Sequence, residues 1–109
     1  MAVSEKNVGD ALTYLSCDPH PVAIGKFNLT VSENKTRETY AVLFLSTTGT
    51  NDARKAIVES TPAYIEAKHK EAEAVLEFER HKSRVKAAEM LLEIWRTENA
   101  NARAAERIR

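Results

Sequence analysis

Four cations recur at every second position in the C-terminal part of this chain: Arg80, Lys82, Arg84 and Lys86. On a helix this spacing sorts them into two i, i+4 rows, Arg80 with Arg84 and Lys82 with Lys86. Such rows suit phosphate, and binding of that kind weakens steeply with salt. A symmetric oligomer would repeat the band as a basic ring or groove. The ordinary alternative is a solvated helix face. Arg96 and Arg103 extend the set of candidate nucleic-acid contacts, and Trp95 stands next to Arg96. An indole can stack on a base, but Trp95 also falls on an apolar seam and is read first as a packing residue.

Other chemistries find little support. His20, His69 and His81 are scattered. Glu77 and His81 share a helix face at i, i+4, yet no second pair joins them, and closed metal sites need about four ligands. Cys17 lies near His20 without any local motif of a nucleophile. Gly9, Gly25 and Gly49 are too far apart for a phosphate-cradling loop. No catalytic, cofactor or metal residue is therefore assigned, and the chain is not expected to be an enzyme.

The totals bound the rest. A length of 109 residues allows one domain at most. Sixteen basic residues balance sixteen acidic ones, so net charge argues neither for nor against nucleic acid. The distribution is uneven: residues 80–109 hold eight basic against four acidic groups, and residues 61–79 hold two against five. Acids early and bases late also suit the dipole of one long helix. A single cysteine rules out an internal disulfide framework. The N-terminal residues lack a basic leader with an apolar core, and no apolar run reaches membrane-spanning length. The matches to a glycosylation acceptor at Asn28 and Asn34 are then chance, and the expected compartment is the cytoplasm.

These groups must be held by long elements, because three Gly and three Pro leave few turns. Tyr64, Ala67, Glu71, Ala74, Phe78, His81, Val85, Ala88, Leu92 and Trp95 follow one another at spacings of three and four. That is a seven-residue repeat, and it makes one narrow apolar seam along a helix. Tyr64, Phe78, His81, Val85, Leu92 and Trp95 are its large members. Glu71 and His81 interrupt it, either to set register or where helices splay and water enters. The helix should begin at Pro62 and run to Thr97, with residues 98–109 fraying.

Upstream, Ser4 can cap a short helix over about 4–16. Asp18 can cap a second, with Pro19 in its first position. Gly49 ends a segment, Thr50 or Asn51 caps a short helix at 52–59, and Ser60-Thr61-Pro62 makes a further break. Residues 22–47 read two ways. Phe27, Leu29 and Val31, then Tyr40, Val42 and Phe44, alternate as strands of a hairpin. Ile24, Phe27, Val31, Val42 and Leu45 instead share a helical stripe. The pattern alone leaves this open.

Two stretches resemble a known group. Leu92-Glu93-Ile94-Trp95-Arg96-Thr97 followed by Asn99-Ala100-Asn101-Ala102-Arg103-Ala104 resembles the C-terminal signature of small phage proteins encoded among recombination genes. Asp18-Pro19-His20-Pro21-Val22-Ala23, and the segment from Leu43-Phe44-Leu45 to Gly49-Thr50, resemble their N-terminal half. In architecture that group is similar to the UvsY-type recombination mediators of T-even phages, which are helical, form rings, bind single-stranded DNA and help load a recombinase. The resemblance implies a helix over 22–47. It also implies a host-cytoplasmic setting and, as partners, single-stranded DNA and a recombinase, annealing or single-strand-binding protein. Thr and Asn are more frequent here than in the group pattern, and no DNA-contacting residue transfers one by one.

The resulting expectation is an all-α, elongated antiparallel helical hairpin, coiled-coil-like, with a short N-terminal helix. Helices are expected at about 4–16, 19–47, 52–59 and 62–97. Phe27, Val31, Val42 and Leu45 should meet Tyr64, Phe78, Val85 and Leu92, and leftover seam should join copies into a homo-oligomer. The expected function is that of a recombination mediator or accessory protein. The alternative is a protein-only helical adaptor or inhibitor, such as an anti-defence factor, docking on a host complex.

Overall fold

The computed structural model describes residues 2–108. They form four helices: α1 (Glu5–Leu15), α2 (Pro21–Leu45), α3 (Asn51–Ser60) and α4 (Pro62–Ile108). No strand occurs among the described residues, so the ambiguous segment is helix through Leu45, with residues 46–47 in the turn that follows, and not a hairpin. The fold is all-α.

Local chemistry accounts for most boundaries. The Ser4 side chain accepts from the Asn7 N–H at 3.2 Å and caps α1. Thr50 does the same for α3, accepting from the Ala53 N–H at 3.2 Å. Gly49, just before that cap, takes φ 119°, a backbone conformation open to glycine and strained for other residues. Three boundaries differ from expectation: both ends of α2, which stops at Leu45 and not at residue 47, and the end of α4. α2 starts at Pro21, not Pro19, because the residue before a proline is pushed out of the α region and His20 precedes Pro21. α4 does not stop at Thr97. It continues to Ile108, through Ala-, Arg- and Glu-rich sequence with no Gly or Pro to end it. At the α3–α4 break the Thr61 hydroxyl donates back to the Ile57 carbonyl at 2.8 Å instead of capping α4.

The described residues fall into two compact units, one of residues 22–79 and one that joins residues 2–21 to residues 80–108. In the first, α2 and the early part of α4 run antiparallel. Gly25 lies against Phe78, Thr36 against Ala67 and Tyr40 against Tyr64. The approach is close. A Cβ built on Gly25 would stand 3.2 Å from the Phe78 Cα. Thr36 is buried, and the single proton of its hydroxyl is shared between the Ser32 carbonyl of its own helix at 3.0 Å and the Ala67 carbonyl at 3.4 Å. The turn between α2 and α3 is held by Arg54. Its Nη2 donates to the Phe44 carbonyl at 2.6 Å, its Nε donates to the Thr47 hydroxyl at 3.2 Å, and its guanidinium lies 3.9 Å over the Phe44 ring. The Thr47 N–H and hydroxyl donate to the same Phe44 carbonyl at 3.2 and 2.8 Å, so the arginine adds a third donor and ties α3 to the end of α2. Val58 of α3 is fully buried.

This unit corrects one expected pairing. Phe27, Val31, Val42 and Leu45 are not buried against Tyr64 and Phe78 of α4. Phe27 is 67% exposed and Leu45 81%. The face turned inward is Gly25, Leu29, Ser32, Thr36 and Tyr40, which are half-buried or buried. The reason is steric. Ala67 and Ala74 make the facing part of α4 shallow, so a helix can approach closely only with small side chains. α2 supplies glycine, serine and threonine along much of that face, with Leu29 and Tyr40 between and beyond them, and leaves Ile24, Phe27, Val31, Val42 and Leu45 outside.

Gly25 gives the sharpest check. Gly25→Leu would push into the Phe78 backbone, and overpacking at such a contact costs about 2 kcal/mol. Urea denaturation should show that loss. Arg54→Ala removes two hydrogen bonds and a ring contact and should cost about 2 kcal/mol in the same assay.

Candidate nucleic-acid interface

The cationic residues singled out above all lie in the second unit, where α1 packs on the later part of α4. Val8, Ala11 and Tyr14 recur at spacings of three and turn inward. Ala11 and Tyr14 form a buried cluster with Ala88, and Leu15, Val85, Leu91 and Leu92 pack against it. α1 runs antiparallel to α4: the Val3 N–H donates to the Glu98 carboxylate at 3.0 Å, and at the other end Tyr14 meets His81.

Tyr14 is the anchor. It is 7% exposed, and its hydroxyl donates to the His81 carbonyl at 3.1 Å. His20 packs edge-on at 4.9 Å between ring centroids, and the Arg84 guanidinium lies 4.1 Å from the Tyr14 ring centroid. A buried tyrosine needs a partner for its hydroxyl, and here that partner is main chain, so its position is set independently of side-chain motion.

The structure sorts the cations. At about 100° per residue, Lys82 and Lys86 lie on the same flank of α4 as Arg96 and Arg103, and Arg80 and Arg84 lie on the other. Arg84 lies over the Tyr14 ring, and Arg84, Lys82, Lys86 and Arg103 are all exposed. Glu89 and Glu93 divide the first flank, and Arg96 pairs with Glu93 at 3.4 Å, both side chains being well exposed. Such surface pairs contribute little and yield easily to another anion.

Three of the nominated residues converge. Trp95, Arg96 and Arg103 line one surface depression on α4 together with Asn99, Ala102 and Glu106. Trp95 is half-buried, and the residues that follow it on this face are exposed. The seam continues from Trp95 to Asn99, Ala102 and Glu106 at the same three- and four-residue spacing. Those last three do not stand out in the sequence because they are small or polar. Extending the repeat beyond Trp95 is the signal that finds them.

Of the large seam residues, Tyr64 and Phe78 lie in the first unit beside α2. His81, Val85, Leu92 and Trp95 lie in the second, and all six are half-buried. Glu71, also on the seam, directs Oε2 to Lys68 of its own helix at 3.6 Å. Among the described residues no three His, Cys, Asp or Glu side chains gather as a metal site requires. No helix among them is long and apolar enough to cross a membrane. Comparison with protein-family descriptions, curated proteins and solved structures finds no match to this chain.

Tyr14→Phe keeps the ring contacts and loses only the bond to His81, so a loss of about 1 kcal/mol is expected. Tyr14→Ala empties the cluster and should cost about 3 to 5 kcal/mol. Thermal unfolding followed at the helical circular-dichroism band separates the two.

Proposed function

We propose that this chain is a non-enzymatic, self-associating accessory protein that holds single-stranded DNA on the exposed face of α4 around Trp95, Arg96 and Arg103. Its partner in this reading is a recombinase, an annealing protein or a single-strand-binding protein. The observation that carries the proposal is the convergence of one indole, two guanidiniums and an amide on one side of a helix. Binding of a single strand without sequence preference needs an aromatic platform for bases and cations for the backbone, and these residues supply both. Lys82 and Lys86, farther along the same flank, lengthen the cationic track to about 30 Å at 1.5 Å per residue. The recombination setting draws on the resemblance of residues 92–104 and 18–23 to small phage recombination proteins.

A second reading has its own support. Met90 and Ile94 share the outward side of α4 at i, i+4 in the second unit and are 65% and 48% exposed. An apolar face of this kind favours a protein partner, as a protein-only adaptor or inhibitor would require.

Trp95 is the sole tryptophan, so its emission reports on the site directly. Titration with an oligothymidine should quench it, and added salt should restore it. Arg96→Glu with Arg103→Glu should lower affinity at least about tenfold and reduce the log–log salt slope by roughly 0.7 for each phosphate that is no longer neutralised. Lys82→Glu with Lys86→Glu should have a smaller effect of the same kind. Emission that ignores the oligonucleotide at low salt would reject DNA as the ligand and favour the adaptor.

A further inference from the structure

The face that α2 turns away from α4 carries Ile24, Phe27, Val31, Val42 and Leu45, which are 45–81% exposed. Ile24, Val31, Glu38 and Leu45 recur every seven residues along the helix, with Phe27 and Asn34 on one side of that row and Lys35 and Val42 on the other, all of them exposed. This stripe lies nearly opposite the first contact face, and each of its side chains stays open to solvent over much of its surface. We infer that α2 pairs with α2 of a second copy of this chain, antiparallel, about a two-fold axis passing between Asn34 and Lys35.

The arrangement of charge selects both the occupant and the direction. About that axis Ile24 faces Leu45 of the other copy, Phe27 faces Val42, Val31 faces Glu38 and Asn34 faces Lys35. Each apolar residue at the ends meets an apolar residue. Lys35 falls within a turn of the other copy's Glu38, and the symmetry makes that ion pair twice. A parallel pairing would instead set Lys35 against Lys35 and Glu38 against Glu38, and like charges at such positions repel. A face that complements itself in this way is the mark of an isologous contact. The contact uses no residue of the DNA-binding reading and stands or falls apart from it.

Sedimentation equilibrium of the full chain tests the pairing. A dimer should be present at about 100 µM or below. Phe27→Asp should give a monomer of unchanged helicity, because that side chain is exposed and its loss leaves the fold intact. Lys35→Glu should weaken association about tenfold or more, and adding Glu38→Lys should restore it. Direction is read by disulfide trapping in a Cys17→Ser background. Phe27→Cys with Val42→Cys should cross-link two copies, whereas Phe27→Cys alone should not. A monomer at that concentration overturns the inference, as does a dimer indifferent to Phe27→Asp, a charge exchange that fails to restore association, or cross-linking through Phe27→Cys alone.

Discussion

Alanine at positions 67, 74 and 88 decides how near another helix can come to α4. A seam of large side chains would hold its neighbour away and bury a wide stripe. This one is shallow, and the contacts across it reach main chain. Thr36 donates to the Ala67 carbonyl and Tyr14 to the His81 carbonyl, two heptads farther on. Each unit therefore has a buried side chain whose hydroxyl reaches the α4 backbone, Tyr14 at 3.1 Å and Thr36 by a longer, shared contact at 3.4 Å. Such a bond carries directional information that apolar contact lacks, and it fixes the neighbouring helix in register.

A close, narrow contact has a cost in apolar burial. α2 has both a small-residue face and a large apolar face, and only the first fits. Ile24, Phe27, Val31, Val42 and Leu45 stay outside, with much of their apolar area in contact with water. The same geometry governs the charges. Because α1 occupies the inner face of α4 near Tyr14, Arg84 is drawn onto the Tyr14 ring. Past the start of α1 the seam is no longer covered, and there Trp95, Arg96 and Arg103 share one open surface. The chemistry this protein offers is thus surface chemistry, spread along helices and suited to extended ligands and other helices.

Much of the architecture was legible in the chain. The caps at Ser4 and Thr50 follow from short polar side chains ahead of helix formers. The break at Gly49 follows from a glycine where φ turns positive, and Pro62 opens α4 as the first residue of a helix that nothing interrupts. The seam from Tyr64 to Trp95 is a property of one helix, so its periodicity marks the half-buried side. The start of α2 falls later than expected because a second proline restricts its predecessor, a rule local enough to apply from sequence. The site was partly legible: Trp95, Arg96 and Arg103 stand out by type, whereas Asn99, Ala102 and Glu106 join them only through the helix that continues past Thr97.

The amino-acid order by itself determined where helices begin, which side of α4 is covered and where cations cluster, because caps, breakers and periodicity act within one segment. It did not determine which side of α2 faces inward. Two stripes compete there, and the more hydrophobic one loses. That choice belongs to the pair of helices together: it depends on the depth of the groove presented by Ala67 and Ala74 and on the room that Gly25 leaves beside Phe78. Only the tertiary structure, where both surfaces meet, decides it.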